Sequence, residues 1–396
     1  MFVRVLGTGA REQFLWLFSQ STDHRMPVLL ALQLATLRLT AFDFRALMFL
    51  NVVFVYAAVI CMGRLAERYR RHSHFGDLVI PLTLLNFGFS YIGWASGGLF
   101  ALSVSSIIIF ADLFTDAFEH QSYVRGIAAF GALIVCALTG IPGTVLAGGV
   151  ATVLTIAFYF RALSPGRNVA LAGLGASLGV CLVQLALWTP SGAAGLNPAV
   201  LPEWLFQFLK ASFGIAAFGG AVWRFVVILG LVGAAMVLVI PTVRRWRQAS
   251  VIEITVPALL LSFLALFFVT AIGRSAHQPW GGYLEMHYGL LVAPIPLVAW
   301  IIISRDLPRV ASGVIAACLI VTFAAAFKTG AEWRINYVRT EYPIIARIIA
   351  DMGSNREPRA IANENLSRFY YIDSPDIRSM IAAGIVKLRW IGAPLY

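Results

Sequence analysis

The sequence predicts an all-α, polytopic transmembrane helical bundle of about ten spans, and three observations predict it. Apolar residues make up 59% of the 396-residue chain and charged residues only 12%, about half the charge fraction of a soluble domain; the mean hydropathy is +0.81. Several runs of about 16–22 residues contain no Asp, Glu, Lys or Arg, the length a helix needs to cross a bilayer. The alternating segments of about ten residues that mark a membrane β-barrel are missing.

Residues 1–43 read as an outward N-terminal loop followed by a juxtamembrane helix. The stretch "MFVRVLGTGAREQFLWLF" lacks the apolar core of a cleavable signal peptide, so none is expected. "MPVLLALQLATLRL" is amphipathic and opens on a proline, as a helix lying on the membrane surface would. Residues 44–327 form the transmembrane domain, with spans predicted near 44–63, 78–93, 97–112, 126–140, 144–161, 168–188, 221–242, 251–272, 288–303 and 309–327. The short ones read as hairpins, broken by "GWASGG" and "TGIPGT". A second surface helix, "EWLFQFLKASFGIAAF", carries Glu203 and Lys210 among aromatics. The glycines of "GLGASLG" suit close helix packing.

Arginine placement sets the orientation. Arg64, Arg68, Arg70 and Arg71 follow the first span, and Arg161 and Arg167 lie between the fifth and sixth. Arg244, Arg245 and Arg247 follow the seventh, and Arg305 and Arg309 the ninth. Ten spans put all four groups on one side, which the positive-inside rule makes cytoplasmic. Both termini, the loop 189–220 and the loop 273–287 then face outward from the cell's inner membrane. "DLFTDAFEHQSYVR" reads as an acidic cytoplasmic loop that fits the rule poorly. After Phe327 the composition turns charged, and residues 328–396 are expected to form a small outward cap, with Ile344, Ile345, Ile348 and Ile349 as a helical stripe. Such a length holds no large catalytic domain.

The net charge of +11 is spread over the ends of apolar runs, so the partner implied is the lipid bilayer and not nucleic acid. The four cysteines lie inside apolar runs without metal-ligand spacing, which argues against zinc and disulfides.

The opening stretch "STDHRMPVLLALQLATLRLTAFDFR" places Asp23, His24 and Arg25 ahead of the surface helix and Arg38, Asp43 and Arg45 at its end. This order resembles the beginning of the GT-C superfamily of polytopic glycosyltransferases, the protein mannosyltransferase-like and aminoarabinose-transferase-like enzymes. A fainter likeness lies in "AIGRSAHQPWGGYLEMHYGLL", where His287-Tyr288 stands in place of an Arg-Tyr pair of related membrane proteins. The motifs cover about residues 11–75; over the rest of the chain the likeness is one of topology.

The resemblance implies sugar transfer from a polyprenyl-phosphate donor to an envelope glycan, lipid or protein acceptor at the outer face. Such chemistry needs a carboxylate base for the acceptor, cations or a metal for the departing phosphate and a groove for the lipid tail. Asp23 matches the family's acidic residue, and Glu12 is the other candidate. Arg274, Arg25, Arg38 and Arg45 are the phosphate-contact candidates. His24, His277, Glu285, His287 and Tyr288 are further outer-loop candidates. There is no adjacent acidic pair, so a divalent metal has no support from the sequence. The family's spanning helix ahead of the first loop has no counterpart; either the chain is truncated there or residues 1–20 do something different.

Each candidate has a structural alternative: Asp23 as a helix cap, the arginines as interfacial anchors. Two other functions stay open. A transporter or flippase would place charges or broken helices near mid-membrane, whereas the spans here are almost free of ionisable groups. A non-catalytic scaffold of envelope assembly is the third reading.

Overall fold

In a computed structural model, residues 9–20, 24–41, 43, 45–86, 98–160, 166–189, 195–218, 222–276, 287–366 and 375–390 are described. Among them there is no extended strand, and the fold is an all-α bundle. In chain order the helices are α1 (Ala10–Leu17), α2 (Pro27–Leu39), α3 (Arg45–Arg70), α4 (Val79–Leu84), α5 (Gly98–Glu119), α6 (Tyr123–Ala137), α7 (Ile141–Tyr159) and α8 (Arg167–Ala186). They continue as α9 (Leu201–Lys210), α10 (Val222–Arg244), α11 (Val251–Arg274), α12 (His287–Val292), α13 (Pro294–Asp306), α14 (Arg309–Gly353), α15 (Pro358–Glu364) and α16 (Pro375–Trp390). Turns of 3-10 helix lead into α4 (Phe75–Leu78) and follow α9 (Ala211–Phe218).

Eight described helical stretches are long and apolar enough to cross a membrane: α3, α5, α7, α8, α10, α11, the α12–α13 pair and α14. Phe75–Leu84 and α6 are shorter apolar helices. Burial separates the centre from the rim. The span across α12 and α13 is 89% buried inside the protein, and that of α10 only 17%; the exposed apolar faces of the outer helices are surfaces for lipid. Since lipid tails are as apolar as leucine, close packing holds such helices together. Small residues supply it: a Cβ on Gly149 of α7 would come 2.8 Å from Ser262 Oγ of α11, and one on Gly173 of α8 would come 2.6 Å from the Phe130 ring of α6.

The chain forms two compact units. One comprises residues 20–29 and 48–331, the other 1–19, 30–47 and 332–396. In the smaller unit, the Arg389 side chain of α16 donates to the carbonyls of Asp351, Met352 and Arg356, at 3.1, 2.6 and 3.0 Å, and so caps the C-terminus of α14. Arg356 joins Asp351 to Glu364 at 2.7 and 2.6 Å. Ile348 is buried, as are Ile361, Ala382 and Ile385.

Candidate functional site

In the larger unit the ionic groups gather at the arginine-rich end. The acidic stretch after Ala111 is not a loop: Asp112, Asp116 and Glu119 lie on the last turns of α5. Asp112 and Asp116 are buried and neutralised by arginines from neighbouring helices. Asp112 faces Arg64 at 3.4 Å and Arg68 at 3.1 Å, while Asp116 pairs with Arg68 and with Arg125 of α6. Fully buried Arg70 pairs with Asp77 and donates to Ser304 of α13 at 3.1 Å. Arg305 pairs with Glu253, the capping-box residue of α11, and covers the Tyr69 ring at 4.9 Å. Asp116, Glu119 and His120 bring three ligand atoms within 4.8 Å of one another. Arg68 and Arg125, however, already hold both Asp116 oxygens, placing two positive charges where a cation would go. These ion pairs lock neighbouring helices together.

The opposite end of the same unit carries two of the sequence-predicted cations, Arg25 and Arg274. Arg25 lines a crevice with Gly140, Ile141, Thr144, Gln184 and Trp188, built where α6 ends, α7 begins and α8 ends. Gly140, at φ 110°, makes the sharp α6–α7 turn. A Cβ there would lie 3.3 Å from His24 Cβ, so the missing side chain lets the His24–Arg25 segment settle on the turn. Gln20 Oε1 accepts from the Thr189 amide at 3.1 Å and its hydroxyl at 2.9 Å, fastening the same segment beyond α8.

Arg274 ends α11. Beside it, Gly195 donates to the Gly273 carbonyl and accepts from the Ala276 amide, both at 3.1 Å, and the Asn197 amide donates to Ser275 Oγ at 2.9 Å. Tyr288 is 9% exposed and stands among Phe100, Trp204 and Phe208, an aromatic hub inside the bundle. Three candidates belong to the smaller unit. Glu12 is exposed on α1. Arg38 donates to Gln13. Arg45 is ion-paired with Asp43 at 2.6 Å, and Asp43 Oδ1 accepts from the Arg45 amide at 2.9 Å, capping α3. The Arg45 hydrogen bond holds the Asp43 carboxyl below its ordinary range. Asp23, His277 and Glu285, and the side chain of His287, lie outside the described residues.

Sequence reasoning missed an interhelical cavity. A groove of about 530 Å³ runs between α7, α8 and α11, lined by Gly148, Thr152, Leu178, Cys181 and Ser262 among others. Its walls are almost wholly apolar, and Leu182 and Leu185 on its α8 side are exposed, so it opens toward lipid. Thr144 lines both the groove and the narrow Arg25 crevice, so the two are neighbours. The signal lay in "TVLAGGVAT", where Gly148 faces Cys181 across the groove without crowding it while Gly149 packs on α11.

Compared with family models, curated proteins and solved structures, the chain matches none of them. What the arrangement can do follows from its parts. An apolar groove open to the bilayer has the chemistry to hold a hydrocarbon chain, and the nearby Arg25 guanidinium that to pair with an anion.

Proposed function

We propose that the protein binds a polyprenyl-phosphate-linked sugar at the outer face of the inner membrane and transfers the sugar to an envelope acceptor, in the manner of a GT-C glycosyltransferase. The observation that carries this reading is that the apolar α7–α8–α11 groove ends beside Arg25, with Thr144 lining both. A polyprenyl tail needs an apolar channel open to lipid, and its phosphate needs a cation at the water boundary.

Under the positive-inside rule the arginine-rich end is cytoplasmic, so Arg25 and both termini face outward. In this reading Arg25 holds the phosphate and stabilises its charge as the sugar leaves. Asp23, two residues earlier, takes the proton from the acceptor as it attacks the anomeric carbon. Arg274 is a second outward cation for the same phosphate. The second reading is a lipid carrier without transfer chemistry; it is favoured by the crevice lining, which contains no carboxylate among the described residues.

Two substitutions separate the readings. In membranes supplied with a polyprenyl-phosphate sugar, Arg25→Gln should lose lipid capture and transfer together. Asp23→Asn should keep capture and lose transfer. Full transfer by Asp23→Asn removes Asp23 as the base, capture without transfer by the wild type leaves the carrier, and unchanged capture by Arg25→Gln removes both readings.

A further inference from the structure

Two cations at the outer-facing end stand apart from the Arg25 crevice. Lys210, the last residue of α9, is 3% exposed. Its Nζ lies 4.6 Å from the centre of the Phe206 ring. Arg224, in the first turn of α10, stacks over Trp223 at 5.4 Å and Phe213 at 5.9 Å, and its Nη1 is buried with no hydrogen-bond partner. The Phe206 and Phe225 rings meet at 5.0 Å, which brings the end of α9 to the start of α10.

Neither has a carboxylate within ion-pair distance among the described residues. Glu203, two turns earlier on the same face of α9, is exposed and engaged by Gln207 at 2.5 Å. Asn86 fixes the turn between the two cations, donating to the Phe213 carbonyl at 3.0 Å. A Cβ on Gly214, which has φ 61°, would come 2.8 Å from the Asn86 amide nitrogen.

Aromatic faces lower the cost of burying a cation, yet two partly desolvated like charges on adjoining helix ends still oppose folding. Elsewhere in this unit the buried charges Arg70, Asp112 and Asp116 are all matched by an opposite charge. A pair left unmatched at the membrane boundary is the arrangement expected where a ligand brings the missing charge.

We infer that Lys210 and Arg224 form an anion site for a phosphoryl group, carried either by a lipid headgroup or by a soluble phosphate compound. Lys210 supplies a compact charge and Arg224 a planar pair of donors, the combination that matches a phosphate's oxygens. The site shares no residue with the Arg25 crevice, so it does not depend on the transferase reading.

The test uses the full-length protein in dodecyl maltoside micelles, which carry no phosphate, with thermal unfolding as the readout. One arm titrates inorganic phosphate; the other adds phosphatidylglycerol to the micelles. A rise in Tm with phosphate identifies a soluble ligand class, and a rise with phosphatidylglycerol alone identifies a lipid headgroup. Lys210→Met and Arg224→Gln should each raise the concentration needed by roughly tenfold or more, the scale of one charge-assisted hydrogen bond. Lys210→Arg should preserve the response, and so should Arg25→Gln. Without ligand, Lys210→Met should melt at or above the wild type, because it removes an unmatched buried charge. A wild type that responds to neither probe overturns the proposal, as do variants that respond like the wild type. An unliganded Lys210→Met that melts well below the wild type overturns it too, by showing a structural lysine.

Discussion

Arg68 of α3 reaches Asp112 of α5, its Nη1 3.1 Å from the carboxylate Oδ1 and 3.0 Å from the Asp112 carbonyl. Asp112 is 1% exposed, so this ion pair is a buried one. Removing one partner of such a pair leaves a charge that the interior cannot solvate. Arg68→Met should therefore cost about 3 kcal/mol, while Arg68→Met combined with Asp112→Leu should recover much of the loss. Thermal unfolding of both variants in one detergent checks this. A double variant as weak as the single would show that Asp116, not Asp112, carries the coupling.

His74 gives stability a pH dependence with a definite sign. Its Nδ1 accepts from the Gly76 amide at 2.9 Å, and its Nε2 lies 3.1 Å from Ser312 Oγ, so the neutral ring caps the 3-10 turn ahead of α4. Burial, reinforced by the Arg70 guanidinium, holds the imidazolium below its ordinary pKa of about 6.5. The folded protein then binds fewer protons than the unfolded chain. Stability is full above that ordinary value, falls as the pH drops below it, and stops falling once the pH is under the lowered value. His74→Asn retains a cap acceptor and should flatten this slope; equal acid slopes for variant and wild type would refute the assignment.

The groove can be plugged from one position. A Cβ on Gly148 meets only Cys181, at 3.8 and 3.9 Å, so Gly148→Ala should be tolerated. Gly148→Leu places a branched side chain in the cavity without touching Arg25. Capture of a polyprenyl phosphate should fall by roughly tenfold or more, with Tm changed little, since filling open space adds contacts. Undiminished capture by Gly148→Leu would mean the tail lies elsewhere.

Arg389 holds the end of α14 by three carbonyls. Charge-assisted hydrogen bonds contribute about 1.5–3 kcal/mol each in favourable cases. Arg389→Ala should accordingly speed hydrogen exchange across residues 345–390 and leave exchange in α5 and α13 unchanged. Uniform acceleration over the whole chain would show instead that the smaller unit does not open on its own.

Much of the fold was legible because bilayer chemistry writes it plainly. The run at 251–272 became α11 at Val251–Arg274, since Ser250 and Glu253 cap its start and no charge interrupts it. The end of α5 was less legible. Asp112 and Asp116 look like a loop in a hydropathy reading, and only their partners 44 and 48 residues earlier explain charges on a buried helix. The composition shift after Phe327 marks where apolar sequence stops; the helix itself continues to Gly353, because charged residues end a hydrophobic run without breaking hydrogen bonds. At the site, Arg25 was visible as a charge beside a proline. The groove was not, since periodicity tells which face is apolar but not where three helices fail to meet.

The most direct measurement is photocrosslinking of a polyprenyl phosphate bearing a tail diazirine, in membranes containing the full-length protein, followed by mapping of the labelled peptides. The account predicts saturable labelling on α7, α8 and α11 around Gly148, Leu178, Cys181 and Ser262, lost in Arg25→Gln. Saturable labelling confined to other helices, or labelling of the groove that Arg25→Gln leaves unchanged, would contradict it.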